Sequence, residues 1–167
     1  MSLTRTWRAG VLTVSDRASQ GFRDDTAGPA LVEMLTAHGI EVAWTATVPD
    51  EEPEIREILI SWADRKAADL VITTGGTGLS PRDVTPEATL GVVERLVPGM
   101  AEAMRAASLA KTPHAMISRA VVGIRGRTLI VNLPGSPKGA KENLETLLPA
   151  LDHAIAKIQG DPSDCAT

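Results

Sequence analysis

The stretch Leu70–Thr89 reads Leu-Val-Ile-Thr-Thr-Gly-Gly-Thr-Gly-Leu-Ser-Pro-Arg-Asp-Val-Thr-Pro-Glu-Ala-Thr. A short apolar strand over Asp69–Thr74 runs into a glycine turn, and an Arg-Asp pair and a helix start follow at once. Glycines let backbone N–H groups approach a ligand without Cβ interference. A helix start favours negative charge. Asp83 beside such a site does not suit anion binding alone. An acid near a phosphate site holds a metal ion or a proton, which points to chemistry on a phosphate.

Outward from this stretch, strand and helix patterns alternate. Ala9–Val14 reads as a buried strand that ends in Ser15-Asp16-Arg17 and a polar loop through Asp25. Pro29 fits the first turn of a helix through His38, and Gly39 stops it. Ile40–Val48 is a strand closed by Pro49-Asp50, and Glu51–Ala67 is a helix with acids first and Arg65-Lys66 last. Thr85-Pro86-Glu87 predicts an N-cap with Pro at the first helical position, and the helix extends to Val97. Met100–Ala110 is again helical, and Ser118–Ile124 with Thr128–Asn132 forms a hairpin across Arg125-Gly126-Arg127. A second turn, Leu133–Gly139, precedes two helices, Ala140–Leu148 and Pro149–Ile158. The expectation is an α/β fold with three α/β/α layers, a mostly parallel sheet and a small β-hairpin element. Residues 1–160 read as one domain and 161–167 as a polar tail; Met1-Ser2-Leu3 is given no function.

Composition narrows the function. Among 167 residues, hydrophobic content is 43%, which suits a globular core. Three Trp, one Phe and no Tyr leave few stacking platforms, and the net charge is −4. Both features argue against nucleic-acid binding. The sequence has no apolar run of membrane-span length and no visible signal peptide, and the single Cys165 offers neither a disulfide nor a thiolate metal site. The expected setting is the cytoplasm.

Each unusual polar cluster follows a predicted strand: Ser15-Asp16-Arg17, Asp50, Thr74–Gly78 and Pro134–Lys138. Parallel sheets bring such ends to one rim, where ligands bind. Gly75-Gly76-Thr77-Gly78 matches neither a P-loop nor a dinucleotide fingerprint, and by itself could be only a tight connection. The hydroxyls of Thr73, Thr74 and Thr77, with Arg82-Asp83, favour binding. Asp50 and Asp16 have turn or capping roles open to them, and Thr85 as the cap would leave Asp83 free. Carboxylates gathered at one rim call for a cation, and Mg²⁺ is the hard ion that bridges carboxylates to nucleotide phosphates. Lys138 at a helix start is explained by an anion bound there. Ser108 and Ser118-Arg119 are weaker candidates. His38, His114 and His153 lack ligand spacing and read as structural or surface residues.

Together, Val14-Ser15-Asp16, Val48-Pro49-Asp50, Thr73–Thr89, Gly99-Met100, Ser118-Arg119 and Asn132–Ser136 with Lys138 resemble the molybdopterin adenylyltransferase family. That group contains bacterial MogA, its relative MoaB and the G domains of gephyrin. The resemblance runs from Gly10 to about Ile158; Gly123–Gly126 and Leu148–Ile155 look especially like the gephyrin type. It implies Mg²⁺-dependent transfer of the adenylyl group of ATP to the terminal phosphate of molybdopterin, releasing pyrophosphate. Asp83 matches the principal catalytic carboxylate and Asp50 a second acid, and both are candidate metal ligands. Substrate binding would fall to Ser15, Asp16, Thr74, Gly75, Gly76, Thr77, Gly78, Arg82, Ser108, Pro134, Gly135, Ser136 and Lys138. The family also implies a homotrimer and handover of product to a molybdenum insertase. Some relatives of the MoaB type depart from the Arg-Asp-Val-Thr-Pro run, which this chain keeps at Arg82–Pro86. A non-catalytic molybdopterin or nucleotide carrier and a trimeric scaffold are the competing readings.

Overall fold

The computed structural model describes residues 5–165, so Met1-Ser2-Leu3 and the last two residues of the tail lie outside the described residues. Six strands form one sheet in the order β2-β1-β3-β6-β5-β4. Their ranges are β1 Arg8–Val14, β2 Glu41–Val48, β3 Leu70–Thr74, β4 Arg95–Leu96, β5 Val122–Arg125 and β6 Thr128–Leu133. The pairs β2–β1, β1–β3 and β3–β6 are parallel, whereas β5 runs antiparallel to both β6 and β4. The expected three-layer architecture, mostly parallel sheet and β5–β6 hairpin are all present. Strand β3 is buried along its whole length, as a central parallel strand with helices on both faces must be.

The helices are α1 Asp16–Ser19, α2 Ala27–Ala37, α3 Glu52–Ile60, α4 Thr85–Leu90, α5 Pro98–Leu109 and α6 Pro137–Ile158. On one face of the sheet, Leu31 and Leu35 of α2, Met104 of α5 and Leu144, Leu147, Leu151 and Ile155 of α6 pack with Val11, Ile72 and Val131. On the other, Ile55 and Leu59 of α3, Trp62 and Ala88 pack on Leu12, Val71 and Ile130. Trp62 explains Gly10: a Cβ there would lie 2.4 Å from the indole ring. None of the described helices is long and apolar enough to cross a membrane.

From β1 the chain crosses to β2 on one side, then returns past β1 to β3 and later β6 on the other. The carboxyl ends of β1 and β3 therefore flank a topological switch point, where such sheets open a crevice.

Four local expectations are corrected. The helix predicted to end at Ala67 widens into a π turn over Ser61–Arg65, and Ala67 exits with φ +51°. The helix predicted to reach Val97 stops at Leu90 with Gly91 as its C-cap, and Arg95–Leu96 is drawn into the sheet against β5. The two predicted C-terminal helices are one. Pro149 sits on the exposed face of α6, where a freed carbonyl is wetted, while the buried stripe from Ala140 to Ile155 continues beneath it. Finally, Ser118-Arg119 precedes β5 and is not part of it.

Candidate active site

The four rim loops converge as the parallel topology requires. A cavity of about 350 Å³ is lined by Ser15 after β1, Asp50 after β2, Thr74, Gly75 and Gly76 at the end of β3, and Gly135 and Ser136 after β6. A second cavity, of about 450 Å³, adjoins it and takes in Thr77, Gly78, Pro134 and Ser108. Gly76, Asp83, Gly135 and Ser136 line both, so they form a shared wall. Both volumes suit small-molecule ligands. The first is the more polar; the second has Ala101, Met104, Ala115 and Ile117 as an apolar side.

The glycine turn has its shape from two consecutive left-handed residues, Gly75 at φ +103° and Gly76 at φ +69°. A Cβ on Gly76 would meet the Thr85 hydroxyl at 2.3 Å, and one on Gly135 would press on Gly75 Cα at 3.3 Å. The two turns can touch because both are bare backbone. Thr74 ties them further by donating its hydroxyl to the Pro134 carbonyl at 2.7 Å.

Asp83 is fixed from several sides. Its Oδ2 accepts the Ser80 N–H at 2.9 Å, and its own N–H donates to the Ser80 carbonyl at 2.9 Å. Gly78 leaves room for the carboxylate, since a Cβ there would sit 2.9 Å from Oδ2. The Arg119 guanidinium donates to the Asp83 carbonyl at 2.7 Å and the Gly78 carbonyl at 2.8 Å, and it pairs with Glu87. That pairing holds the Glu87 carboxyl below its usual range. Thr85 is not the cap predicted from the sequence. It is the first residue of α4, and its hydroxyl donates to the Gly75 carbonyl at 2.9 Å, which fastens the helix to the turn.

Asp50 and Asp16 lock together across their backbones. Asp16 N–H donates to Asp50 Oδ2 at 2.9 Å, and Asp50 N–H donates to Asp16 Oδ1 at 3.0 Å. Of the two local roles open to it, Asp50 does not cap α3; Glu51 holds that position without a side-chain bond. Burial pushes the Asp50 carboxyl above the usual carboxylate range, and the charges on Asp16 and Asp83 add to the shift. Asp16 goes the other way, held low chiefly by its hydrogen bond from Arg82.

Asp24, Asp25, Asp50 and Asp83 all line the first cavity; Asp25 is engaged by Thr13 and Gly28, while Asp50 and Asp83 lie beside Gly76 and Gly78 of the glycine turn. That last pair fits the donor set of Mg²⁺, which takes one or two carboxylates and completes its shell with phosphate oxygens and water. Among the described residues no group of three His, Cys, Asp or Glu forms a self-sufficient cage. Asp50 and Asp83 therefore suit an ion that arrives with a phosphate ligand.

The raised Asp50 pKa has a stability consequence. A carboxyl whose folded pKa lies above its unfolded one binds protons more readily in the native state, so its ionisation costs stability at neutral pH and the cost fades as pH falls through the folded pKa. With EDTA present, Asp50→Asn should raise Tm at pH 7 by about 1–3 °C, and the gain should shrink in acid. A Tm gain that grows as pH falls would contradict this origin.

Not every sequence candidate lies in the cavities. Asp16, Arg82 and Lys138 line neither. Arg82 points outward to Asp16 and Glu51, and Lys138 is exposed on the first turn of α6. Sequence reasoning missed Arg23, Asp24 and Asp25 on the first cavity, and Arg105, His114 and Asn143 on the second. Asp25 organises its loop by accepting the Thr13 hydroxyl at 2.6 Å and the Gly28 N–H at 2.9 Å. The i, i+3 spacing of Arg105 and Ser108 on α5 was the available signal for the second wall.

Residues 10–153 match the family model described as "Probable molybdopterin binding domain". The chain is 48% identical to a molybdopterin adenylyltransferase of Escherichia coli (strain K12), over 84% of this chain and 73% of that protein. It is 43% identical to one from Helicobacter pylori, over 94% and 90%. It also superposes on the crystal structure of the molybdopterin biosynthesis enzyme MoaB of Thermus thermophilus with a TM-score of 0.89 and 54% identity, covering 95% of this chain and all of that one. The fold, the rim of four loops and these likenesses agree, and the chain belongs to the molybdopterin-binding domain family that includes the molybdopterin adenylyltransferases.

Proposed function

We propose that this protein is a molybdopterin adenylyltransferase: it joins the terminal phosphate of molybdopterin to the α-phosphorus of ATP and releases pyrophosphate. The observation that carries the reading is the shared wall. An adenylyl transfer needs two ligands whose reacting phosphates meet, and Gly76, Asp83, Gly135 and Ser136 border both cavities at once. A phosphate oxygen of the pterin attacks the α-phosphorus in line, the bond to the bridging oxygen breaks, and pyrophosphate departs. The nucleophile is already anionic, so no strong general base is required. Catalysis then rests on orientation and charge neutralisation.

The residues divide this work. Backbone N–H groups of the glycine turn and the start of α6, capped by Ser136 through the Gly139 N–H at 3.1 Å, present donors where the phosphates meet. Asp83 stands at that junction, and Asp50 faces it from the half-buried side of the first cavity. Mg²⁺ held by Asp83 and Asp50 would supply countercharge to the phosphates. The second cavity, with its apolar wall, gives a planar ring system a surface to lie on. The homotrimer and handover to an insertase follow from the family resemblance and belong to the same reading.

Purified protein mixed with ATP, Mg²⁺ and fresh molybdopterin should release pyrophosphate in step with adenylylated pterin, and EDTA should stop both. Pterin binding without pyrophosphate would leave a carrier instead of an enzyme. Sedimentation of the protein at a monomer mass would remove the trimer.

A further inference from the structure

Arg82 and Asp83 are adjacent but serve opposite sides of the loop. Asp83 lines both cavities and Arg82 neither. The Arg82 guanidinium forks onto Asp16, with Nε 3.1 Å from Oδ2 and an Nη 2.9 Å from Oδ1, and the same nitrogen lies 2.9 Å from a Glu51 oxygen. Asp16 in turn holds Asp50 through the reciprocal backbone–carboxylate pair at 2.9 and 3.0 Å. A continuous chain, Arg82 to Asp16 to Asp50, thus runs outside the cavity from the loop carrying one acid to the loop carrying the other.

We propose that Arg82 is a positioning residue, whose fork on Asp16 and Glu51 fixes the spacing of Asp50 and Asp83 across the first cavity without touching either substrate. A planar guanidinium suits this role because two parallel bonds set both distance and orientation. Binding a substrate phosphate would require it to leave two carboxylates. Exposed ion pairs add little to global stability, so the effect belongs to geometry. A displacement of about 1 Å at reacting groups can cost about a hundredfold in rate. The proposal rests on the adenylyltransferase reading for its kinetic arm only.

The test compares Arg82→Gln, Arg82→Lys, Asp16→Asn and the double variant Arg82→Gln/Asp16→Asn. Each single variant should lower kcat by about 10- to 100-fold, with KM for ATP and for molybdopterin within about 3-fold of wild type. The double variant should be no worse than the poorer single, because both cut one link. Arg82→Lys restores charge without the fork, so its kcat should stay low. In ligand-free protein, amide exchange at Asp16 and Asp50 should quicken in Arg82→Gln while Tm stays within a few degrees. That exchange reads the link with no turnover, so an inactive wild type would count against the adenylyltransferase reading alone. A tenfold rise in KM for ATP at unchanged kcat, recovery by Lys, multiplicative losses in the double variant or unchanged amide exchange would each overturn the proposal.

Discussion

Asp83→Asn should lower adenylyl transfer on the order of a hundred- to a thousandfold while molybdopterin binding stays near the wild-type value. The amide is nearly isosteric, and its oxygen can still accept the Ser80 N–H that the carboxylate accepts at 2.9 Å. The loop keeps its Arg119 bonds, which go to backbone carbonyls and to Glu87. What disappears is one negative charge on the wall common to both cavities, and with it an anionic ligand for a metal. Ground-state pterin contacts that do not involve that charge persist, so kcat carries the loss. Pyrophosphate release, pterin titration and a melting curve on one preparation separate these quantities. Turnover within a few-fold of wild type would remove Asp83 from the reaction.

Much of this arrangement is legible in the chain because parallel α/β topology is generic. Once Ala9–Val14, Ile40–Val48, Asp69–Thr74 and Thr128–Asn132 are read as strands separated by helices, the residues after each strand must share a rim. Ser15, Asp50, Gly75 and Gly135 do so. Tertiary partners decided what local pattern could not. The Thr85-Pro86 pair has the composition of a capped helix start, yet the Thr85 hydroxyl is taken by Gly75, which is ten residues away in sequence and in contact in space. Pro149 reads as a break because a proline normally interrupts a helix, but the tightly packed stripe beneath it holds α6 together. The run after Leu90 reads as helix because nothing local shows that Arg95–Leu96 will pair with β5.

The second cavity was the harder half to read. Its wall is built from α5 and the short 3₁₀ turn Pro113–Ile117, which come from the antiparallel side of the sheet and obey no rim rule. His114 reads as a structural or surface residue in sequence; it is exposed, and it also lines that wall. Arg82 shows the reverse problem. Its position beside a glycine turn suggests phosphate binding, whereas the geometry commits its guanidinium to Asp16 and Glu51.

Gly75→Ala should be among the most damaging single methyl additions in this fold. Gly75 sits at φ +103°, where an L side chain is strained, and its Cβ would lie 2.2 Å from the Val14 carbonyl oxygen. That oxygen is backbone at the end of β1, so it cannot swing aside as a flexible side chain could. Relieving the clash means parting the ends of β1 and β3 at the switch point, which pushes Gly75 toward β6, where its N–H is bonded to Leu133 O at 3.1 Å. Backbone strain of roughly 1–3 kcal/mol and overpacking of roughly 1–3 kcal/mol together predict a Tm lowered by about 4–24 °C. Gly126→Ala is the control: φ there is +56° and nothing lies within 4 Å of the added methyl, so only backbone strain of roughly 1–2 kcal/mol remains. Equal Tm losses for the two variants would mean that the approach of Val14 has no energetic weight. The folded fraction of Gly75→Ala should also turn over slowly at low temperature. Thr85 hangs on the Gly75 carbonyl and Asp83 lies two residues before Thr85, so displacing Gly75 moves the junction between the cavities together with the strand ends.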